Sequence, residues 1–165
     1  MAKYVLEQLL DIRKKREDEL AQQVPKAKSD LQLAEEECEK ANRNLDDFVA
    51  ELPDRKTKLY ATVMNVVVKR EQLDKLKEAL ADLERQRMAL AEKLQQARRQ
   101  VDEARQKLEQ TQRNLLLATK NTMKLDTHKE AWLEEEKRIE QDNADKELED
   151  LHTKVALIAD DDDSL

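Results

Sequence analysis

A seven-residue repeat of apolar side chains constrains this chain before anything else does. From Leu6 the series runs through Leu10, Arg13, Glu17, Leu20, Val24, Ala27, Leu31, Ala34, Cys38, Ala41, Leu45, Phe48 and Leu52, with steps of four and three alternating without a slip. Such spacing lines one face of a helix and predicts a coiled-coil seam. A second register begins at Leu59 and continues through Leu76, Leu83, Leu94, Val101, Leu115, Ala118 and Leu125 to Trp132 and Ile139. Past Ile139 the pattern slips, because Leu148, Leu151, Val155 and Ile158 form a short series out of step with it.

Composition agrees with long helices and with little else. Charged residues make up 42% of the 165 positions and aromatic residues 2%, with no glycine, which rules out a compact multi-layer core. High charge with few aromatics also marks disordered chains, but the sustained seams exclude disorder over most of the sequence.

The two registers are separated by AELPDRKTKLY, where Pro53 removes a backbone donor and restricts Leu52 to extended geometry. A helix is expected to end there, with Asp54 or Thr57 capping the next one. Pro25 sits inside a seam that stays in phase around it, so a kink is the favoured reading over a break. The expected fold is all-α: a single elongated, antiparallel two-helix coiled-coil hairpin over 1–165 with a longer second helix. Its expected bounds are about 3–51 for helix one, about 52–58 for the turn, about 59–155 for helix two, and 159–165 for an acidic tail. This register brings Leu6 to about residue 105 and leaves nearly half of the second helix unpaired, with Leu115, Ala118, Leu125, Trp132 and Ile139 as an open stripe.

Residues 126–165 hold fifteen Asp and Glu against five Lys and Arg, so the far end of the chain is strongly acidic. Nucleic acid is a poor partner for such a surface, since phosphate contacts need clustered basic side chains. Chemistry-bearing constellations are missing as well. Cys38 lies on the first seam, where a lone thiol packs as a small hydrophobe and suits a reducing compartment. His128 and His152 are isolated and read as surface residues. The Asp160–Asp163 run lacks the alternation and glycine of a calcium loop and reads as a solvated tail. No enzyme, metal or cofactor is expected. No run approaches the roughly 20 apolar residues of a membrane span, and the N-terminus lacks a signal-peptide core, so a cytoplasmic protein without direct membrane insertion is expected.

The opening MAKYVLEQLLDIRKKREDEL resembles the start of the YscO family, the small coiled-coil stalk proteins of type III secretion systems, FliJ-like in layout. The resemblance is carried by Tyr4, Leu6, Leu9, Leu10, Ile12, Arg13, Arg16, Glu17 and Asp18, and elsewhere by heptad pattern and the order of helix, proline-containing connection and longer helix. It implies a non-enzymatic central stalk at the cytoplasmic base of a virulence-type secretion apparatus. The paired N- and C-terminal helices would enter a hexameric secretion ATPase, the turn would face the export gate protein, and export chaperones would be a third class of partner.

On that basis Tyr4, Leu6, Arg13, Arg16, Glu17, Leu125, Trp132 and Ile139 are candidates for ATPase contact, and Tyr60, Met64 and Val67 for export-gate contact. Each carries a plainer alternative. Arg13 and Glu17, four apart, would pair with each other or set register against the opposite arm. Trp132 would fill a seam position, and the three turn-proximal residues would pack on the end of helix one. Two other functions stay open for the whole chain: a homodimeric coiled-coil tether and a holdase chaperone gripping clients between its arms.

Overall fold

The computed structural model describes residues 3–162. These form two helices and no strand, α1 over Glu7–Ala61 and α2 over Arg70–Asp162. The fold is a helical hairpin whose second helix is the longer, 93 residues against 55. The chain divides into two compact units. A turn unit spans Leu20–Arg113, and a terminal unit joins the chain up to Glu19 with the chain from Asn114 onward.

The turn lies ten residues later than the sequence suggests. Pro25 and Pro53 both sit inside α1, and neither breaks it. An interior proline loses one hydrogen bond and crowds the carbonyl four residues back, at about 3 kcal/mol. Both rings are on exposed positions, where water can satisfy the released carbonyls of Ala21 and Val49. The seam also argues for continuity. Counted by sevens from Leu6 and Leu10, the first series reaches Arg55 and Leu59, so the two registers are one and phase is never lost at Pro53. Arg55 keeps its place on that face by laying its guanidinium over the Phe48 ring, 5.1 Å from the centroid.

What stops α1 is the segment TVMNVVVK. The last turn tightens through bonds from Thr62 N–H to Leu59 O (3.3 Å) and Val63 N–H to Tyr60 O (3.1 Å), and Thr62 Oγ1 donates to Leu59 O at 2.7 Å. Asn65 then takes φ 59°, a left-handed turn that asparagine supplies in a chain lacking glycine. Three consecutive valines, Val66 to Val68, follow as poor helix formers. The expected caps Asp54 and Thr57 are interior to α1; Lys69 precedes α2 instead, its N–H donating to Gln72 Oε1 at 3.0 Å in half of a capping box. Helix two therefore starts at Arg70 rather than about 59 and runs past 155 to Asp162, taking in the start of the expected acidic tail. Residues 163–165 of that tail lie outside the described residues.

Every first-seam position from Leu6 to Leu52 is buried or half-buried, as is every position of the heptad series from Leu76 to Glu136. Leu20, Ala27, Phe48, Leu83, Leu94, Ala97 and Val101 are buried in the turn unit, and Tyr4, Leu10, Ala118, Thr122 and Leu125 in the terminal unit. Cys38 is half-buried beside Leu94 and Val101 and serves packing. Thr111 and Thr122 occur at buried seam positions and donate to the carbonyls of Lys107 and Ala118, so neither hydroxyl is stranded.

Moving the turn by ten residues moves every cross-arm partner by about twenty. Leu6 does not approach residue 105; Glu7 next to it meets Lys129, and Arg13 meets Asn121. The expected open stripe is consequently mostly closed, since Leu115, Ala118, Leu125 and Trp132 are covered by the start of α1. Only the tail of α2 stands alone, and all residues from 137 to 160 are exposed.

Two measurements check this arrangement. Spin labels at Lys14 and Asp126, whose side chains are 3.5 Å apart, should give a distance below about 20 Å; a turn at 52–58 would separate those positions by about 40 Å along the helix axis. Pro53→Ala should raise the melting temperature, by up to about 3 kcal/mol of stability, because an interior helix position gains a donor. A lowered melting temperature would place a turn there after all.

Candidate functional site

The terminal unit gathers all of the residues that carry the N-terminal signature. Tyr4 precedes the first turn of α1, whose Glu7 N–H donates to the Tyr4 carbonyl at 3.2 Å. Its ring is thereby turned onto α2 and is 6% exposed. The ring centroid lies 5.4 Å from that of Trp132 and 5.8 Å from that of His128, both tilted, and the hydroxyl shares a 2.6 Å hydrogen bond with His128 Nδ1. Tilted aromatic packing of this kind adds about 1 kcal/mol to simple burial. Tyr4 thus locks the start of α1 to α2.

One helical turn further on, Lys129 Nζ bridges both carboxylate oxygens of Glu7, at 2.9 and 2.8 Å. The Glu7 hydrogen bond holds the Lys129 amine above the usual lysine range, against a smaller opposing effect of burial. Its folded pKa being raised, this contribution is complete below the ordinary lysine pKa and is lost only as pH climbs through the higher folded value. At neutral pH the pair is intact.

Arg13 and Glu17 do not pair with each other. Arg13 Nη1 donates to the Asn121 carbonyl at 3.2 Å, and Glu17 Oε1 accepts from Thr119 Oγ1 at 3.1 Å. Both charged seam residues therefore set register against the opposite arm, through neutral groups. Leu6 is half-buried, Leu10 is fully buried at 0% exposure, and Leu125 is buried beneath them. Of the ATPase-contact candidates, then, Tyr4, Leu6, Arg13, Glu17, Leu125 and Trp132 hold the hairpin together. Arg16 and Ile139 face solvent.

The two flanks of the terminal unit differ. Glu7 and Lys14, seven residues apart, place their ion pairs with Lys129 and Asp126 on one flank. Val5, Leu9, Ile12 and Arg16, spaced four, three and four, form an exposed strip one position off the seam. The signature residues thus divide between an inward set that builds the clamp and an outward set of Leu9, Ile12, Arg16 and Asp18. Beyond the clamp, the tail of α2 carries its apolar series in the open, Leu148, Leu151, Val155 and Ile158 being 54–69% exposed.

At the turn, the export-gate candidates are outward too. Tyr60, Met64 and Val67 are 45, 61 and 101% exposed, so the alternative in which they pack on the end of helix one does not hold. Val66, which the heptad count puts on the seam seven residues after Leu59, is exposed with them. Half-buried Val63 instead faces the start of α2, lining a shallow groove with Leu59, Gln72 and Leu76.

His128, Thr119, Asn121 and Asp126 were not marked as functional from sequence. They flank the seam of α2 and acquire partners only once the register is fixed, so nothing local in the sequence signals them. Among the described residues no group of three or more His, Cys, Asp or Glu is placed to hold a metal ion, and no helix is long and apolar enough to cross a membrane.

Comparison with known proteins gives this geometry a family. The solved structure of a YscO homolog, CT670 of Chlamydia trachomatis, superposes with a TM-score of 0.76 at 22% identity, covering 96% of this chain and 97% of that one. At that identity the likeness establishes the fold. No curated protein matches the chain. The family model described as type III secretion protein YscO matches residues 6–154, nearly the entire length of both helices. The chain therefore belongs to the YscO family of type III secretion proteins.

Proposed function

We propose that this protein is a non-enzymatic central stalk of a type III secretion apparatus, peripheral at its cytoplasmic base, standing between a hexameric secretion ATPase and the export gate. The observation that carries the reading is the layout of the terminal unit. α1 is fastened to α2 by Tyr4, Glu7 and Arg13, and α2 then continues as a helix exposed throughout residues 137–160. In this reading the free helix reaches the ring, and the clamped pair beside it resists being splayed.

The fastened end suits a load-bearing role. Tyr4, Glu7 and Arg13 each reach across to α2, so prying α1 away breaks an aromatic contact, an ion pair and a hydrogen bond within three helical turns. Tyr60, Met64 and Val67 supply apolar contacts at the turn that are free for the export gate. Arg13 and Glu17 enter this reading as register residues that keep the clamp in place; direct contact with the ring falls to Arg16, Ile139 and the tail.

Truncation after Glu136 tests the reading, because residues 137–160, which it removes, are all exposed. The shortened chain should keep a cooperative helical melt and lose at least tenfold in affinity for the hexameric ATPase of the same apparatus, about 1.4 kcal/mol. The intact chain should bind with one copy per hexamer. Unchanged affinity after truncation would overturn the assignment of the tail to the ring.

A further inference from the structure

We infer that the α2 tail binds through a face different from the one α1 uses, and that its receptor is an apolar groove rimmed by Lys and Arg. The inference rests on the stalk reading and specifies the surface that the secretion ATPase must present to this helix.

α2 is continuous to Asp162, so the slip after Ile139 cannot be a break in the helix and must be a change of face. The seam positions that follow Ile139 are Asn143, Lys146, Asp150 and Thr153, which no longer suit a coiled-coil partner. Meanwhile Leu148, Leu151, Val155 and Ile158 recur at steps of three, four and three. At about 100° per residue, their stripe lies roughly 90° around the axis from the Leu125–Glu136 seam if the helix is straight, and roughly 150° if it supercoils. An occupant therefore approaches from a side that α1 does not occupy. The polar neighbours do not obstruct it: His152 Nδ1 bonds back to the Leu148 carbonyl at 2.9 Å and Thr153 Oγ1 to the Glu149 carbonyl at 2.8 Å.

Charge and size identify the occupant. Asp145, Glu147, Glu149 and Asp150 surround the first half of the stripe, against Lys146 and Lys154. A second copy of this chain would bring like charges together. Its apolar contribution would also be small, since four aliphatic side chains at roughly 100 Å² each cover about half of the 800 Å² per partner of a stable interface. A cationic groove satisfies both limits. It complements the acidic rim, speeds encounter, and releases the helix readily, as helix-in-groove contacts of modest area do.

The test uses full-length chains and the purified hexameric ATPase. Leu151→Asp with Val155→Asp should weaken binding at least tenfold, whereas Leu157→Asp, which puts the same charge on another face of the same turns, should stay within twofold. Circular dichroism confirms that helicity is kept. Asp145→Asn with Glu149→Gln and Asp150→Asn, which leaves the apolar stripe whole, should weaken binding at low salt and flatten its salt dependence. Equal losses from the stripe and control variants, or no loss from either, would overturn the inference while leaving the stalk reading standing. So would salt-independent binding, or a concentration-dependent dimer that the stripe variant abolishes. Failure of the unmodified chain to bind the ATPase would remove the stalk reading, and this inference with it.

Discussion

A single strip of side chains, counted in sevens, holds this protein together. With two helices and no third layer, each seam residue is covered by the opposite arm alone, and Leu10 is exceptional in being fully buried. Little on the outer faces can compensate for a lost phase, because a shift by one residue would rotate the apolar set about 100° away from the opposite arm. The unbroken repeat from Leu6 through Leu59 is thus a stronger determinant than either proline it passes. About 3 kcal/mol for one exposed ring is smaller than the cost of abandoning the Phe48, Leu52 and Leu59 contacts that lie around it.

That ranking explains which parts of the fold were legible. The helical class, the hairpin and the seam residues followed from periodicity, which reports burial directly. The turn did not, because Pro53 is a conspicuous local signal and Asn65 an inconspicuous one. In a chain without glycine the left-handed residue has to come from elsewhere, and the informative stretch was Asn65 with the three valines after it rather than the proline. An error of ten residues at the hinge doubles across an antiparallel pair. For that reason the Tyr4–His128 and Glu7–Lys129 contacts, both dependent on register, could not be reached from sequence although each participant was in view.

The charged interruption of the seam at Arg13 and Glu17 has a physical logic of its own. Two opposite charges four apart would satisfy one another along α1 and say nothing about α2. By bonding to the Asn121 carbonyl and the Thr119 hydroxyl, they remain half-buried without needing a desolvated ion pair, and each is tied to one place on α2. Specificity is thereby placed within the terminal unit, at the start of α1, where fraying of a helix begins. The same argument accounts for Tyr4, which adds an aromatic lock outside the first full turn of α1.

Clamping the start of α1 also decides what the rest of α2 can do. If the arms frayed freely, the Leu125–Glu136 seam would be available to any passing helix, and the tail would be one of several exposed apolar surfaces. With that seam occupied, the tail is separated from it by sequence and by direction: its seam positions become polar while its apolar residues move around the axis. A partner that engages the tail need not compete with α1, and engagement does not require the hairpin to open. In the proposed contact, the acidic residues around Leu148 and Leu151 would act at a distance, attracting a cationic surface before the small apolar stripe makes contact. An arrangement of this kind favours rapid, reversible attachment of a firmly closed pair of helices, as the proposed stalk role would require.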